Sequence, residues 1–134
     1  MPNHSRPRVF LADDHSDFLK AETTLLEPYF ELVGTACDGA SLVSEVQRLH
    51  PDVIVVDISM PGMSGIEAIQ KLNQCGSPPK VVFLTIQNDK QFVDACLAEG
   101  AQGYVWKSLM HSHLVPAIFA ALDNRPYVSP LQRR

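Results

Sequence analysis

Asp52-Val-Ile-Val-Val-Asp57 constrains the fold more than any other stretch of this chain. Four consecutive β-branched residues form a run too short for a helix, and they read as a strand buried on both faces, as in the middle of a parallel sheet. Such a strand needs a layer of structure on each side. The rest of the chain supplies it by alternating short apolar runs with longer amphipathic stretches. Strands are expected at Arg8–Ala12, Glu31–Cys37, Lys80–Thr85 and Gln102–Trp106, besides Asp52–Asp57. Between them, apolar residues at helical spacing predict helices over His15–Tyr29, Ala40–His50, Ile66–Asn73, Asp89–Glu99 and Met110–Leu122. Five strand–helix units without repeats imply an α/β fold, a doubly wound five-stranded parallel sheet with helices on both faces.

Length and composition suit one such domain: 134 residues, with 46% hydrophobic and 19% charged, can bury a core without disulfides or metal staples. The net charge of −4 and the absence of a basic stripe argue against nucleic-acid binding by this segment. Cys37, Cys75 and Cys96 are widely spaced and odd in number, which fits neither a disulfide framework nor a zinc site and suits a reducing cytoplasm. The leading residues contain no apolar stretch long enough for a signal peptide or a membrane span, so no membrane partner is expected.

In doubly wound sheets the ligand site lies outside the carboxyl ends of the strands. Here those ends carry Asp13 and Asp14 after the first strand, Asp57 on the third, Thr85 on the fourth and Lys107 after the fifth. A single aspartate at a strand end is usually a solvated turn residue. Three carboxylates, a hydroxyl and an ammonium delivered to one edge are a different matter. Two carboxylates about 4 Å apart repel by roughly 4 kcal/mol at an effective dielectric near 20, so the group should raise a pKa or bind a cation. Oxygen donors alone point to a hard divalent ion, and the sparse set suits Mg2+. Asp57, at the end of a rigid buried strand, is placed to act as a nucleophile toward phosphorus. Lys107 and the metal would neutralise phosphoryl charge, with Thr85 donating a hydrogen bond.

These residues resemble the signature of bacterial response-regulator receiver domains. The likeness rests on Asp13-Asp14, Asp57, Met60-Pro61-Gly62-Met63-Ser64-Gly65, Thr85 and Gly103-Tyr104-Val105-Trp106-Lys107, in order from about Val9 to Leu122. The resemblance implies a flavodoxin-like fold with strand order 2-1-3-4-5, and a histidine kinase or phosphotransfer protein as phosphoryl donor. It implies Asp57 as phosphoacceptor and Asp14 and Asp57 as direct metal ligands. Asp13 would act through water, and the Ser59 carbonyl would be a further ligand. Lys107 would pair with Asp57 before phosphorylation and with the phosphoryl group after it. Thr85 would move toward that group and Tyr104 would swing into the space left behind. Such a switch would control dimerisation or an output domain.

Four positions depart from the commoner pattern or tune it. Ile86 is bulky where a small residue is usual and could narrow access to Asp57, and Trp106 replaces an aliphatic. Ser59 and Gln87 flank the site where residue identity sets phosphoryl lifetime. Residues 8–122 are expected to form the receiver, and 123–134 a tail or the start of a linker. Tyr127-Val-Ser-Pro130 resembles the junction in NarL/LuxR-type transcriptional regulators, whose DNA-binding output domain would lie beyond this sequence.

Two other readings compete. A phosphatase-like hydrolase with an aspartate nucleophile usually carries a second aspartate two residues on, where this chain has Ser59. A receiver-like interaction module that never takes phosphate would not need the full acidic set. His111 and His113 read as surface or capping histidines, since residues two apart on a helix point in different directions. His15 reads as a solvated loop residue beside Asp14.

Overall fold

Every residue from Val53 to Asp57 is buried, as four branched side chains in a row require. A computed structural model, which describes residues 6–76, 79–86, 94–96 and 98–129, sets that strand at the centre of a parallel sheet. In chain order the elements are β1 (Arg8–Ala12), α1 (Ser16–Leu26), β2 (Glu31–Ala36), α2 (Gly39–Leu49), β3 (Val53–Asp57) and α3 (Gly65–Gln74). There follow β4 (Lys80–Thr85), β5 (Gly103–Trp106), α4 (Met110–Leu122) and β6 (Tyr127–Val128). A single 3-10 turn, Lys107–Leu109, leads into α4. Of the helix expected over Asp89–Glu99, helical backbone is described at 94–96 and 98, Glu99 lies in a turn, and residues 89–93 and 97, with Gln87, lie outside the described residues.

The sheet order is β2-β1-β3-β4-β5-β6, all pairs parallel. The flavodoxin-like order 2-1-3-4-5 is present, but the sheet has six strands rather than the five expected. Its extra strand is two residues long, too short to show alternation in the sequence. It is held by the Tyr127 amide donating to the Gln102 carbonyl and the Ser129 amide to the Tyr104 carbonyl, both at 2.9 Å. The Tyr127 hydroxyl lies 2.8 Å from Nδ1 of His113 on α4, so this histidine helps to hold the strand.

Alternate residues of each strand face opposite layers. Phe10, Ala12, Ile54, Val56, Phe83, Tyr104 and Trp106 pack with α2 and α3, while Val9, Leu11, Val53, Val55, Leu84 and Val105 pack with α1 and α4. Ser64 caps α3 reciprocally: its hydroxyl accepts from the Glu67 amide, and the Glu67 carboxylate accepts from the Ser64 amide. Gly65 opens that helix directly against β3. Its amide donates to the Ile58 carbonyl at 2.8 Å, and a Cβ at this position would stand 2.3 Å from the Asp57 carbonyl oxygen. The glycine therefore lets the helix seat against the strand that ends in Asp57.

Candidate functional site

The carboxyl ends of β1 and β3 lie side by side, because Ala12 pairs with Val56. That register brings Asp13, Asp14 and Asp57 together, with ligand atoms of these three and His15 within 4.8 Å of one another. Asp13 and Asp57 are buried and Asp14 and His15 are exposed, so the cluster has a dry floor and a wet rim. Lys107, at the end of β5 and buried, reaches across the floor. Its Nζ lies 2.8 Å from Asp13 Oδ2 and 3.3 Å from Asp57 Oδ2. The lysine thus bridges two carboxylates: it meets Asp57, the partner that the resemblance implies, and lies nearer still to Asp13. Its ammonium also stands 4.2 Å from the centre of the Phe18 ring, a cation–π contact supplied by α1.

Thr85 is buried at the end of β4, and Tyr104 is fully buried on β5, edge-on to Trp106 with ring centres 5.2 Å apart. Tyr104 is thus already packed inside, and Trp106 is accommodated in the layer shared with α2 and α3. Ile86 is 72% exposed, so its side chain points largely to solvent. Ser59 is exposed on the loop after β3, and its amide donates to Asp57 Oδ1 at 3.3 Å. His15 is more involved than a plain loop residue. Its amide donates to Asp13 Oδ1 at 2.9 Å, and its Nδ1 lies 3.0 Å from Asp14 Oδ1 and 3.3 Å from Asp13 Oδ1.

The structure adds an acid that the sequence reading passed over. Glu22 on α1 is 0% exposed. Phe18, Glu22 and Leu26 stand four residues apart on one helical stripe, so the spacing marked position 22 as inward-facing although its charge argued otherwise. Burial, and next the negative charge of Asp13, push its carboxyl up to about 9. Asp57 is raised to about 6, chiefly by burial. The Lys107 ammonium pulls it down and the Asp13 charge pushes it up. Asp57 is then ionised at neutral pH, and Glu22 is protonated there.

The four buried side-chain oxygens that accept no hydrogen bond among the described residues are Asp13 Oδ2, Asp57 Oδ2 and both oxygens of Glu22, whose protonated carboxyl meets Asp13 as a donor. The two aspartate oxygens meet the Lys107 ammonium by charge, and that one cation does not balance both. An oxygen-rich, electron-rich cup of this kind fits Mg2+, with Asp13, Asp14 and Asp57 as the acidic pocket.

Comparison with known proteins points the same way. The response regulator receiver domain family matches residues 9–119. The chain is 34% identical over 130 residues to the transcriptional regulatory protein DegU of Brevibacillus brevis, covering 96% of this chain and 55% of that protein. It is 35% identical over 122 residues to the nitrate/nitrite response regulator protein NarP of Escherichia coli, covering 90% and 57%. The chain thus spans little more than half the length of these relatives. Among solved structures, a LuxR-family two-component response regulator from Aurantimonas sp. superposes with a TM-score of 0.89 at 32% identity, covering 94% of this chain and 91% of that one. The receiver domain of the response regulator NarL from Mycobacterium tuberculosis gives 0.85 at 27% identity, covering 90% and 99%. No helix among the described residues is long and apolar enough to cross a membrane. The fold, the acidic pocket and the match over residues 9–119 agree: the chain belongs to the response regulator receiver domain family, the phosphorylation switches of two-component systems, and is not a classical enzyme.

Proposed function

We propose that Asp57 accepts a phosphoryl group from a histidine kinase or phosphotransfer protein, and that this modification switches the domain between two states. The observation that carries the assignment is the Lys107 ammonium bridging buried Asp13 and Asp57 at the mouth of the sheet. One Asp57 carboxylate oxygen forms the new bond to phosphorus, while the bond to the donor atom breaks and its electron pair stays on the donor. β3 fixes the nucleophile in place, which removes much of the orientational cost of such a transfer. The Ser59 amide holds Asp57 Oδ1. Lys107 stands ready to leave one carboxylate for the incoming phosphoryl oxygens, and Thr85 ends the neighbouring strand, one residue beyond the Leu84 that pairs with Asp57.

Asp14 and Asp57 would hold Mg2+ directly, Asp13 through water and the Ser59 carbonyl from the loop. The ion supplies neutralisation of charge on the transferring group. Thr85 and Tyr104 would carry the switch outward, and Ser59, Ile86 and Gln87 would set access and lifetime, including the domain's own dephosphorylation. Ile86 faces solvent rather than packing into the core, while Asp57 itself is buried. Residues 8–122 form the switch, and the segment from 123 leads into a linker. In a longer protein that linker would reach a DNA-binding output domain of the NarL/LuxR type, with dimerisation as the controlled step. A solved structure of RcsB, 25% identical to this chain, is described as two dimers bound to two parallel DNAs. Intact-mass analysis tests the central claim. With Mg2+ and an acyl phosphate, wild type gains one phosphoryl group and Asp57→Asn gains none. Labelling that persists in the variant overturns it.

A further inference from the structure

Of the buried acids among the described residues, Asp13, Asp57 and Glu22, the phosphoryl chemistry above leaves Glu22 unused. Its position on α1 calls for an apolar residue. Phe18 one turn before and Leu26 one turn after both face the core, and Glu22 is fully buried between them, its oxygens accepting no hydrogen bond and its protonated carboxyl set to donate to the Asp13 carboxylate. A buried polar group of this kind weakens a fold unless something else uses it. Its charged neighbours are Asp13, Lys107 and Asp57, all within the site. Phe18, on the same helix face, already presses its ring against the Lys107 ammonium.

The two oxygens of Asp13 do different things. Oδ1 takes the His15 amide and faces Nδ1 of that residue, whereas Oδ2 faces Lys107 at 2.8 Å. α1 backs this arrangement through Phe18 and Glu22. We propose that Glu22 is a positioning residue of the metal site, setting Asp13 and Lys107 from the core side so that the Asp13 carboxylate keeps its orientation toward Asp14 and Asp57. The inference rests on the reading of Asp13, Asp14 and Asp57 as a Mg2+ site, and it adds to that site a residue which acts through Asp13. Partners of ligating carboxylates typically change metal affinity by about 10–100-fold when removed.

The test is Mg2+ titration of the whole chain, followed by Trp106 fluorescence and by calorimetry, with melting temperatures taken in chelator. Glu22→Leu and Glu22→Met replace the acid by hydrocarbon of similar size, and Glu22→Gln keeps its planar shape and a donor. The expected result is a Mg2+ dissociation constant about tenfold weaker in both apolar variants, with melting temperatures equal to or above wild type. Glu22→Gln should stay within about threefold of wild type, below the range for a lost partner. Apolar variants that bind Mg2+ as wild type does overturn the proposal. So does a glutamine variant as weak as the apolar ones, because a neutral planar donor at this position would then not be what holds Asp13. Failure of both apolar variants to fold also overturns it, since the acid would then serve the fold. Wild type that binds no Mg2+ removes the underlying metal site, and this inference falls with it.

Discussion

Asp57 is held between opposing influences, and its chemistry can be read from their balance. Burial and the Asp13 charge raise its pKa, the Lys107 ammonium lowers it, and the outcome is about 6. The ionised carboxylate is the nucleophile, and Mg2+ beside it lowers the pKa further, so phosphorylation by an acyl phosphate in Mg2+ should rise with pH and level off below the metal-free value of about 6. Lys107→Met removes the lowering influence and should move that midpoint upward as well as slow the reaction; a rate–pH profile that keeps its midpoint contradicts the bridging role. Glu22 makes a second prediction at this scale, concerning stability. Its carboxyl is raised from 4.5 to about 9 in the folded protein, so the native state holds a proton that the unfolded chain releases. The relative stability this group contributes is fully present below pH 4.5 and declines as pH rises toward 9. Glu22→Gln cannot ionise and should be more stable than wild type at pH 7, by about 1–3 kcal/mol at 1.36 kcal/mol per unit with allowance for relaxation. That advantage should shrink toward pH 4.5, as denaturant melts in chelator at the two pH values would show.

At the scale of elements, two contacts matter out of proportion to their size. Gly65 admits α3 against the Asp57 carbonyl, and a methyl group there would meet backbone at 2.3 Å, where no flexible side chain can yield. Gly65→Ala should cost at least about 2 kcal/mol and should slow phosphorylation, because relief of the clash displaces β3 or α3 beside the acceptor. Unchanged melting temperature and labelling rate would contradict this account of the junction. β6 makes the other contact. Tyr127 joins it to α4 through His113, and Ser129 ties it to β5, its Oγ accepting from the Trp106 amide at 3.3 Å. Tyr127→Phe should lose about 1 kcal/mol for the hydrogen bond, and Tyr127→Ala about 2–3 kcal/mol as ring packing goes too. Equal stability of the two variants would mean that the ring contributes nothing to the edge. These contacts stabilise β5, which carries Tyr104 and leads to Lys107, so Tyr127 and Val128 belong to the sheet and Ser129 is bonded to it.

For the whole molecule, the sheet and its mouth were legible because their causes are local. Val53–Val56 announce a central strand, alternation sets the layers, and the residues ending β1, β3, β4 and β5 converge wherever parallel strands share one direction. β6 was not legible, since two residues carry no period and their placement depends on Gln102, Tyr104 and His113, far away in sequence. Glu22 was missed for a related reason: helical spacing put it inside, while its charge made an outward position look natural until Asp13 and Lys107 gave it a place. The preference of Lys107 for Asp13 needs three strands in register and Phe18 from a helix, none of which a spacing rule contains. The same gathering of acids makes the domain's stability depend on what neutralises them. Asp57, raised from 3.8 to about 6, weakens the metal-free fold at pH 7, so Asp57→Asn should melt higher than wild type in chelator. Added Mg2+ stabilises the state that binds it, by about 2.7 kcal/mol at a concentration 100 times the dissociation constant. Wild type should take that gain in full, and Asp57→Asn, with one carboxylate fewer, only in part. The two melting curves should therefore converge or cross as Mg2+ is raised. Parallel curves would show that Asp57 has no share in the metal, and that the dry floor of this pocket carries its charge for another purpose.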